Sequence, residues 1–227
     1  MHIGLIGGIG PASTEFYYRH LVRAHALAQR RLELTIVHAD VADLGRHMAA
    51  GAPDAQARIF AGLTERLQAA GADVVAITSM GGHFCVREFE ALSPLRVANA
   101  IPDVRAALVG GGFRRVGLLG TRVVMATRLY GGLDGLETVV PLDDEFEATH
   151  REYVAMAGIG EVSEAQRLFF HDAGERLCRE QGADVVLLAG TDLFLAFDGR
   201  SCSFGTVDCA RVHIDALCRL AWEGAAS

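Results

Sequence analysis

Gly71-Ala72-Asp73-Val74-Val75 returns as Gly182-Ala183-Asp184-Val185-Val186, and Ile3-Gly4-Leu5-Ile6-Gly7 returns as Val116-Gly117-Leu118-Leu119-Gly120. The spacings are 111 and 113 residues, so two half-chains of one plan are joined in series. Around these copies, β-rich apolar runs recur at His2 to Ile6, Leu34 to His38, Val74 to Thr78, Val116 to Leu119, Leu136 to Pro141 and Val185 to Leu188. Stretches of helical spacing separate them, among them Pro53 to Ala70 and Glu164 to Gln181, with Arg and Glu on the outer face. Strand-helix alternation of this kind predicts parallel sheets flanked by helices. The expected fold is therefore α/β: two pseudo-symmetric lobes with parallel sheets and a cleft between them. Gly110-Gly111-Gly112 is a breaker cluster suited to a helix end or hinge. The lobe change is placed near residue 98, giving residues 1–98 plus 207–227 and residues 99–206, with Val207 to Trp222 read as a helix returning to the first lobe.

Composition removes several classes of function. With 227 residues, 51% of them apolar, the chain is long enough for two small lobes with cores of their own. No run approaches the roughly 20 uninterrupted apolar residues of a spanning helix. The net charge of -7 and the lack of any basic cluster beyond Arg30-Arg31 and Arg114-Arg115 argue against a nucleic-acid partner. Met1-His2 leads straight into a strand-like run with no signal-peptide pattern, which points to the cytoplasm. Five cysteines at irregular spacing predict reduced thiols rather than a disulfide frame or a zinc site. There is no lysine at all, which excludes a Schiff-base lysine, and with it lysine-tethered pyridoxal phosphate, and also a phosphate-binding P-loop.

Ligands of open parallel sheets bind beyond the carboxyl ends of the strands. That rule selects Gly7 to Thr14, Asp40 to Leu44, Thr78 to Phe84, Gly120 to Thr127 and Ala189 to Phe194. The segment Gly7-Gly8-Ile9-Gly10-Pro11-Ala12-Ser13-Thr14 follows a strand and opens a helix, with Pro11 suited to the first helical position. Its backbone N–H groups suit a carboxylate or a phosphate, and a purely structural tight turn is the other reading. Gly8-x-Gly10 is half of a dinucleotide fingerprint, but Ser13 stands where the third glycine belongs. In Thr78-Ser79-Met80-Gly81-Gly82-His83, the histidine reads either as a proton shuttle titrating near neutrality or as a ring satisfying helix-start backbone. Thr191 and Asp192 hold the equivalent place in the second half, where Asp192 could equally cap a helix. Thr121, Arg122, Thr127 and Arg128 follow the second lobe's first strand. A fork from Arg122 or Arg128 to a substrate carboxylate is set against an ordinary surface arginine.

Taken together, these segments resemble the aspartate/glutamate racemase family, which also holds hydantoin racemases, arylmalonate decarboxylases and maleate isomerases. Gly7-Gly8-Ile9-Gly10-Pro11-x-x-Thr14 resembles the family's opening GGxGPxAT. Val116-Gly117-Leu118-Leu119-Gly120-Thr121-x-x-x-Met125 resembles its VGLLGTxxTM, and Asp208-x4-His213 its late D-x4-H. The resemblance runs nearly end to end. It implies a cofactor-free, usually dimeric enzyme of two Rossmann-like lobes that holds an acidic amino acid in an interlobe active-site cleft and moves its α-proton with two cysteines, one per lobe. Laid on this chain, those cysteines fall at Ser79 and Gly190, so both are substituted, and a helix lysine of the family falls at Met156. A serine hydroxyl is a far poorer base than a thiolate. The expected function is a cofactor-independent isomerase of a small acidic amino acid or related carboxylate, working without the two thiols. A lyase, decarboxylase or cis-trans isomerase, or an inactive carboxylate-binding homologue, is the alternative. Ser79, His83, Thr191 and Asp192 are the expected catalytic groups. Gly8, Gly10, Pro11, Thr14, Asp40, Met80, Gly81, Gly82, Thr121 and Gly190 are the expected substrate contacts. No metal, cofactor, nucleic acid or membrane is expected, and the partner is a second copy in a homodimer.

Overall fold

Two four-stranded parallel sheets of one plan account for the repeat. The computed structural model of the protein describes residues 1–223. In chain order the first sheet and its helices are β1 (His2–Gly7), α1 (Pro11–Leu27), β2 (Glu33–His38), α2 (Val41–Ala49), α3 (Pro53–Ala69), β3 (Val74–Ile77), a 3-10 turn (Gly81–Cys85), α4 (Val86–Leu92) and β4 (Arg96–Ala98). There follow α5 (Ala100–Gly110), β5 (Arg115–Leu119), α6 (Arg122–Ala126), β6 (Glu137–Val139), α7 (Asp143–Ile159), α8 (Glu164–Arg179), β7 (Val185–Leu188), α9 (Phe194–Phe197), β8 (Thr206–Asp208) and α10 (Cys209–Glu223). The strand orders are β2-β1-β3-β4 and β6-β5-β7-β8, the same crossover pattern twice, and every pairing is parallel. The expected α/β plan of two like sheets is what forms.

The pentapeptide recurs because both copies do the same structural work. Gly71 and Gly182 sit at φ +90° and +68°, the left-handed conformation that ends a helix and that glycine adopts without steric cost. Asp73 and Asp184 then hold the start of the neighbouring central strand. Asp73 accepts the His2 backbone N–H at 2.6 Å, and Asp184 accepts those of Arg114 and Arg115 at 2.8 Å each. These two backbone donors hold the Asp184 carboxyl below its ordinary pKa. The valines that follow enter the sheets in matching register, Val74 against Ile3 and Val185 against Val116.

Central strands β3 and β7 are buried at every residue, which is why they read as unbroken apolar runs rather than alternating ones. Helix α3 begins with Pro53 at its first turn and buries Phe60, Leu63, Thr64 and Leu67, one stripe at helical spacing. Phe60 packs edge-on against Phe89 of α4 at 5.6 Å between ring centres. In the second half, α8 opens on a reciprocal cap between Ser163 and Gln166, and α7 stops at Gly160 in the left-handed region. No helix among the described residues is long and apolar enough to cross a membrane.

Three boundaries differ from the sequence reading. Edge strands β4 and β8, three residues each, carry too short a pattern to register as strands. The closing helix starts at Cys209 because Val207 and Asp208 are committed to β8, paired with Leu187 and Leu188. By internal contacts the chain divides into residues 1–99 with those from 213 on, and Ala100–Val212, where the sequence placed breaks at 98 and 206. Residues 207–212 therefore belong with the second sheet.

Candidate active-site residues

In the first unit the chain leaves β1 through a loop that only small residues can make. A Cβ on Gly7 would lie 2.4 Å from the Thr14 methyl, and one on Gly8 would lie 2.3 Å from the His38 ring; Gly8 also sits at φ +89°. Gly10 precedes α1 at φ +132° and offers no side-chain cap, and Pro11 occupies the first turn. A helix N-terminus without a side-chain cap is of the kind that suits an anion. Thr14 is spent on the loop. Its hydroxyl accepts the Gly8 N–H at 3.0 Å, donates to the Gly10 carbonyl at 3.0 Å and lies 3.2 Å from Thr78 Oγ1. Ser13 Oγ donates to the Thr78 carbonyl, so the first turn of α1 is fastened to the end of β3.

One residue beyond Thr78 stands Ser79, 6% exposed. Met80 is buried. Gly82 is required by space, since a Cβ there would lie 2.7 Å from an Ile77 methyl. His83 is joined to Ser79 through the carbonyl, not the hydroxyl: its Nδ1–H donates to Ser79 O at 2.8 Å. That bond fixes the neutral ring with Nε2 as the acceptor nitrogen. Burial pushes the His83 pKa down to about 4, so the expectation of a ring titrating near neutrality is corrected by desolvation. Its neighbour His213, 6.0 Å away between ring centres, is held down to about 3 by burial and by His83. His213 Nε2–H donates to Ala98 O and its Nδ1 accepts from Tyr17 OH, both at 2.9 Å. The histidine of the D-x4-H pattern is thus a buried structural hub. Asp208, the acidic half, accepts the Ala210 N–H at 2.8 Å at the start of α10, and burial pushes its carboxyl up to about 6.

The second unit differs at the equivalent strand ends. Thr121 caps α6 by accepting the Val124 N–H at 3.4 Å. Arg122 gives its fork to Glu147, with Nε 2.8 and 3.1 Å from the two carboxylate oxygens, so the arginine is paired within the protein. Asp40, back in the first unit, likewise serves as the cap of α2, accepting the Ala42 N–H at 2.7 Å. After β7, Gly190 makes room for a side chain that sequence reasoning missed. A Cβ on Gly190 would lie 2.3 Å from Tyr153 Cε2 and 2.8 Å from its hydroxyl oxygen. Tyr153 comes from α7 and donates to Asp192 Oδ2 at 3.2 Å. Burial first, then the Asp192 charge, pushes its phenol well above the ordinary value. Thr191 is 1% exposed, and its hydroxyl oxygen is buried without a partner among the described residues. An unpaired buried hydroxyl costs about 1–3 kcal/mol, a cost that a hydrogen-bonding ligand would remove. The signal that could have found Tyr153 is the stripe Thr149, Tyr153 and Met156, the buried face of α7.

None of the five thiols is tuned to ionise at neutral pH. Burial pushes Cys85 up to about 12 and Cys218 to about 11, and it raises Cys178, Cys202 and Cys209 as well. Among the described residues no group of three or more His, Cys, Asp or Glu is placed to hold a metal ion.

Residues 6–217 match the family model of Asp/Glu/Hydantoin racemase. Among solved structures, a Yersinia pestis protein named for the Asp/Glu racemases is 26% identical with a TM-score of 0.82, over 98% of this chain and 100% of its own. An aspartate racemase homologue from Pyrococcus horikoshii OT3 is 26% identical with a TM-score of 0.79, over 97% of this chain and 98% of its own. Aspartate racemase of Picrophilus torridus shares the fold, at 19% identity and a TM-score of 0.75, over 97% and 94% of the two chains. The chain belongs to the Asp/Glu/hydantoin racemase family and is a racemase-like isomerase.

Proposed function

We propose that this member of the Asp/Glu/hydantoin racemase family moves the α-proton of a small acidic amino acid or a closely related carboxylate with hydroxyl and carboxylate groups in place of thiols. The observation that carries the reading is Ser79. It is a small hydroxyl residue, 6% exposed, that follows directly on Thr78, to which the uncapped first turn of α1 is tied. A carboxylate at that N-terminus is held by backbone N–H groups of the loop between Gly8 and Thr14, those of Gly8 and Thr14 being engaged within the loop itself, and the same donors stabilise enolate-like charge once the α-proton leaves. Among the side chains assigned to the chemistry, Ser79 donates to the substrate and His83 keeps a neutral imidazole beside it. Thr191 and Asp192 supply a hydrogen bond and a carboxylate base. The raised thiol pKa values support chemistry without a thiolate.

The test is proton NMR in deuterium oxide with L-aspartate, L-glutamate and a panel of related dicarboxylates. Loss of the α-proton signal, slowed by Ser79→Ala and accompanied by the opposite enantiomer on chiral chromatography, is expected. No exchange across the panel would overturn the reading. We also propose a cytoplasmic homodimer. Five free thiols suit a reducing compartment, and Tyr18 and Val22 of α1 with Ile36 of edge strand β2 leave apolar surface exposed. Sedimentation equilibrium at the monomer mass would refute the dimer.

A further inference from the structure

We infer that Tyr153 is the proton-relay group of the second unit, passing a proton between the substrate and Asp192 beside the unpaired hydroxyl of Thr191. The inference rests on the racemase reading above and assigns a residue to it.

Four residues make the case. Gly190, at the carboxyl end of central strand β7, carries no side chain, and its backbone is outside the left-handed region, so nothing in its conformation demands glycine. What demands it is Tyr153, whose ring fills the volume a side chain at 190 would take. The ring is thus laid across the strand end where ligands of parallel sheets bind. Its hydroxyl donates to Asp192 Oδ2 at 3.2 Å, with both groups buried. Thr191, which lies between Gly190 and Asp192 in sequence, keeps a buried hydroxyl oxygen with no partner among the described residues. A core built only for packing pairs such groups or replaces them by apolar ones. A tyrosine-carboxylate pair beside an unsatisfied hydroxyl is instead a set of hydrogen-bonding groups that a polar ligand completes.

The relay balances without a phenolate. The substrate Cα–H bond breaks and its electron pair stays on the substrate as an enolate. The proton passes to Tyr153 Oη while the phenol's own proton passes to Asp192 Oδ2, leaving a neutral phenol and a protonated carboxyl. The reverse transfer returns a proton to the enolate carbon. The strongly raised phenol pKa fits this traffic, since burial beside a carboxylate forbids a standing phenolate.

Tyr153→Phe keeps the ring over Gly190 and removes only the relay oxygen. The expected result is a fall in kcat for α-proton exchange of about 100-fold or more, with KM changed less than about threefold, as loss of a general acid-base group predicts. Asp192→Asn should give a loss of the same order. Full exchange by Tyr153→Phe beside an active wild type overturns the relay and leaves the racemase reading standing. A readout independent of turnover uses protein carrying 13C at the tyrosine ring carbon bonded to oxygen. The chain has four tyrosines, and the resonance lost in Tyr153→Phe identifies the one in question. Adding L-aspartate, L-glutamate or succinate should shift that resonance, and Thr191→Val should abolish the shift. If wild type exchanges no α-proton yet the resonance moves, the racemase reading falls and Tyr153 remains a ligand-contacting group. If no ligand moves it, the inference fails.

Discussion

Substituting alanine at Gly190 is a direct probe of the Tyr153 packing. The new Cβ lies 2.3 Å from Cε2 of a ring that is 6% exposed and hydrogen-bonded to Asp192, so the ring cannot swing into solvent without breaking that bond. Overpacking of this severity costs up to about 3 kcal/mol. The backbone at 190 already suits an L side chain, so replacing glycine recovers about 0.4–1 kcal/mol from the unfolded chain. The net loss is about 2 kcal/mol, a fall of about 4–8 °C in Tm for a chain of this size. Tyr153→Ala alone removes a buried aromatic at about 3–5 kcal/mol. In the double variant the methyl at 190 enters the space the ring vacated, so the clash disappears and the two penalties should combine to less than their sum by about 1–3 kcal/mol. Urea denaturation of the four proteins measures the coupling. Additivity within about 0.5 kcal/mol would refute the claim that Tyr153 occupies the place of a side chain at 190.

Two further predictions concern acid sensitivity and thiols. His83 and His213 stay neutral in the folded state down to about pH 4 and about 3, whereas unfolded they protonate near 6.5. The unfolded state therefore binds more protons, and stability falls as pH drops from 6.5 toward 4. Asp208, held up at about 6, works in the opposite sense between 3.8 and 6, leaving a net slope near one proton, about 1.4 kcal/mol per pH unit. Urea midpoints from about pH 4 to 7 should show that slope, and Asp208→Asn should roughly double it below about pH 6; a flat profile contradicts the burial of the two rings. Alkylating the half-buried Cys178 and Cys202 with N-ethylmaleimide should leave α-proton exchange intact, because the proposed chemistry uses neither thiol and burial raises the pKa of both. Stoichiometric inactivation would return a cysteine to the mechanism.

The repeat was legible because Gly71-Ala72-Asp73 and Gly182-Ala183-Asp184 each act locally, making a left-handed turn and then setting a carboxylate on the next strand's backbone. The first loop was legible for the same reason, since its glycines and Pro11 follow local rules. Asp40 and Thr121 stand at ligand positions by the strand-end rule and also cap helices, a role their short oxygen-bearing side chains fit equally well and that position alone does not reveal. His83 misled because a pKa near neutrality belongs to an exposed ring, and its burial comes from packing distant in sequence. Tyr153 was illegible as a candidate because its partner Asp192 is 39 residues away, and only the fold reveals that its ring fills the space beside Gly190.

The departures from the repeat bear on function more than the repeat does. After β1 the chain enters a 17-residue helix with no side-chain cap, its first turn fastened to Thr78. After β5 it enters a five-residue helix already capped by Thr121, then turns through Arg128, Leu129 and Tyr130 at φ 52–58° and Gly131 at φ 76°. A capped, short helix has little dipole or free backbone to offer an anion, whereas the long uncapped one has both. At the partner strand ends the contrast runs the other way: a small hydroxyl at Ser79 after β3, and a buried phenol, carboxylate and hydroxyl around Gly190 after β7. Like frames with unlike strand ends separate the two units chemically: an uncapped helix start after β1 in the first, and a buried phenol-carboxylate pair after β7 in the second.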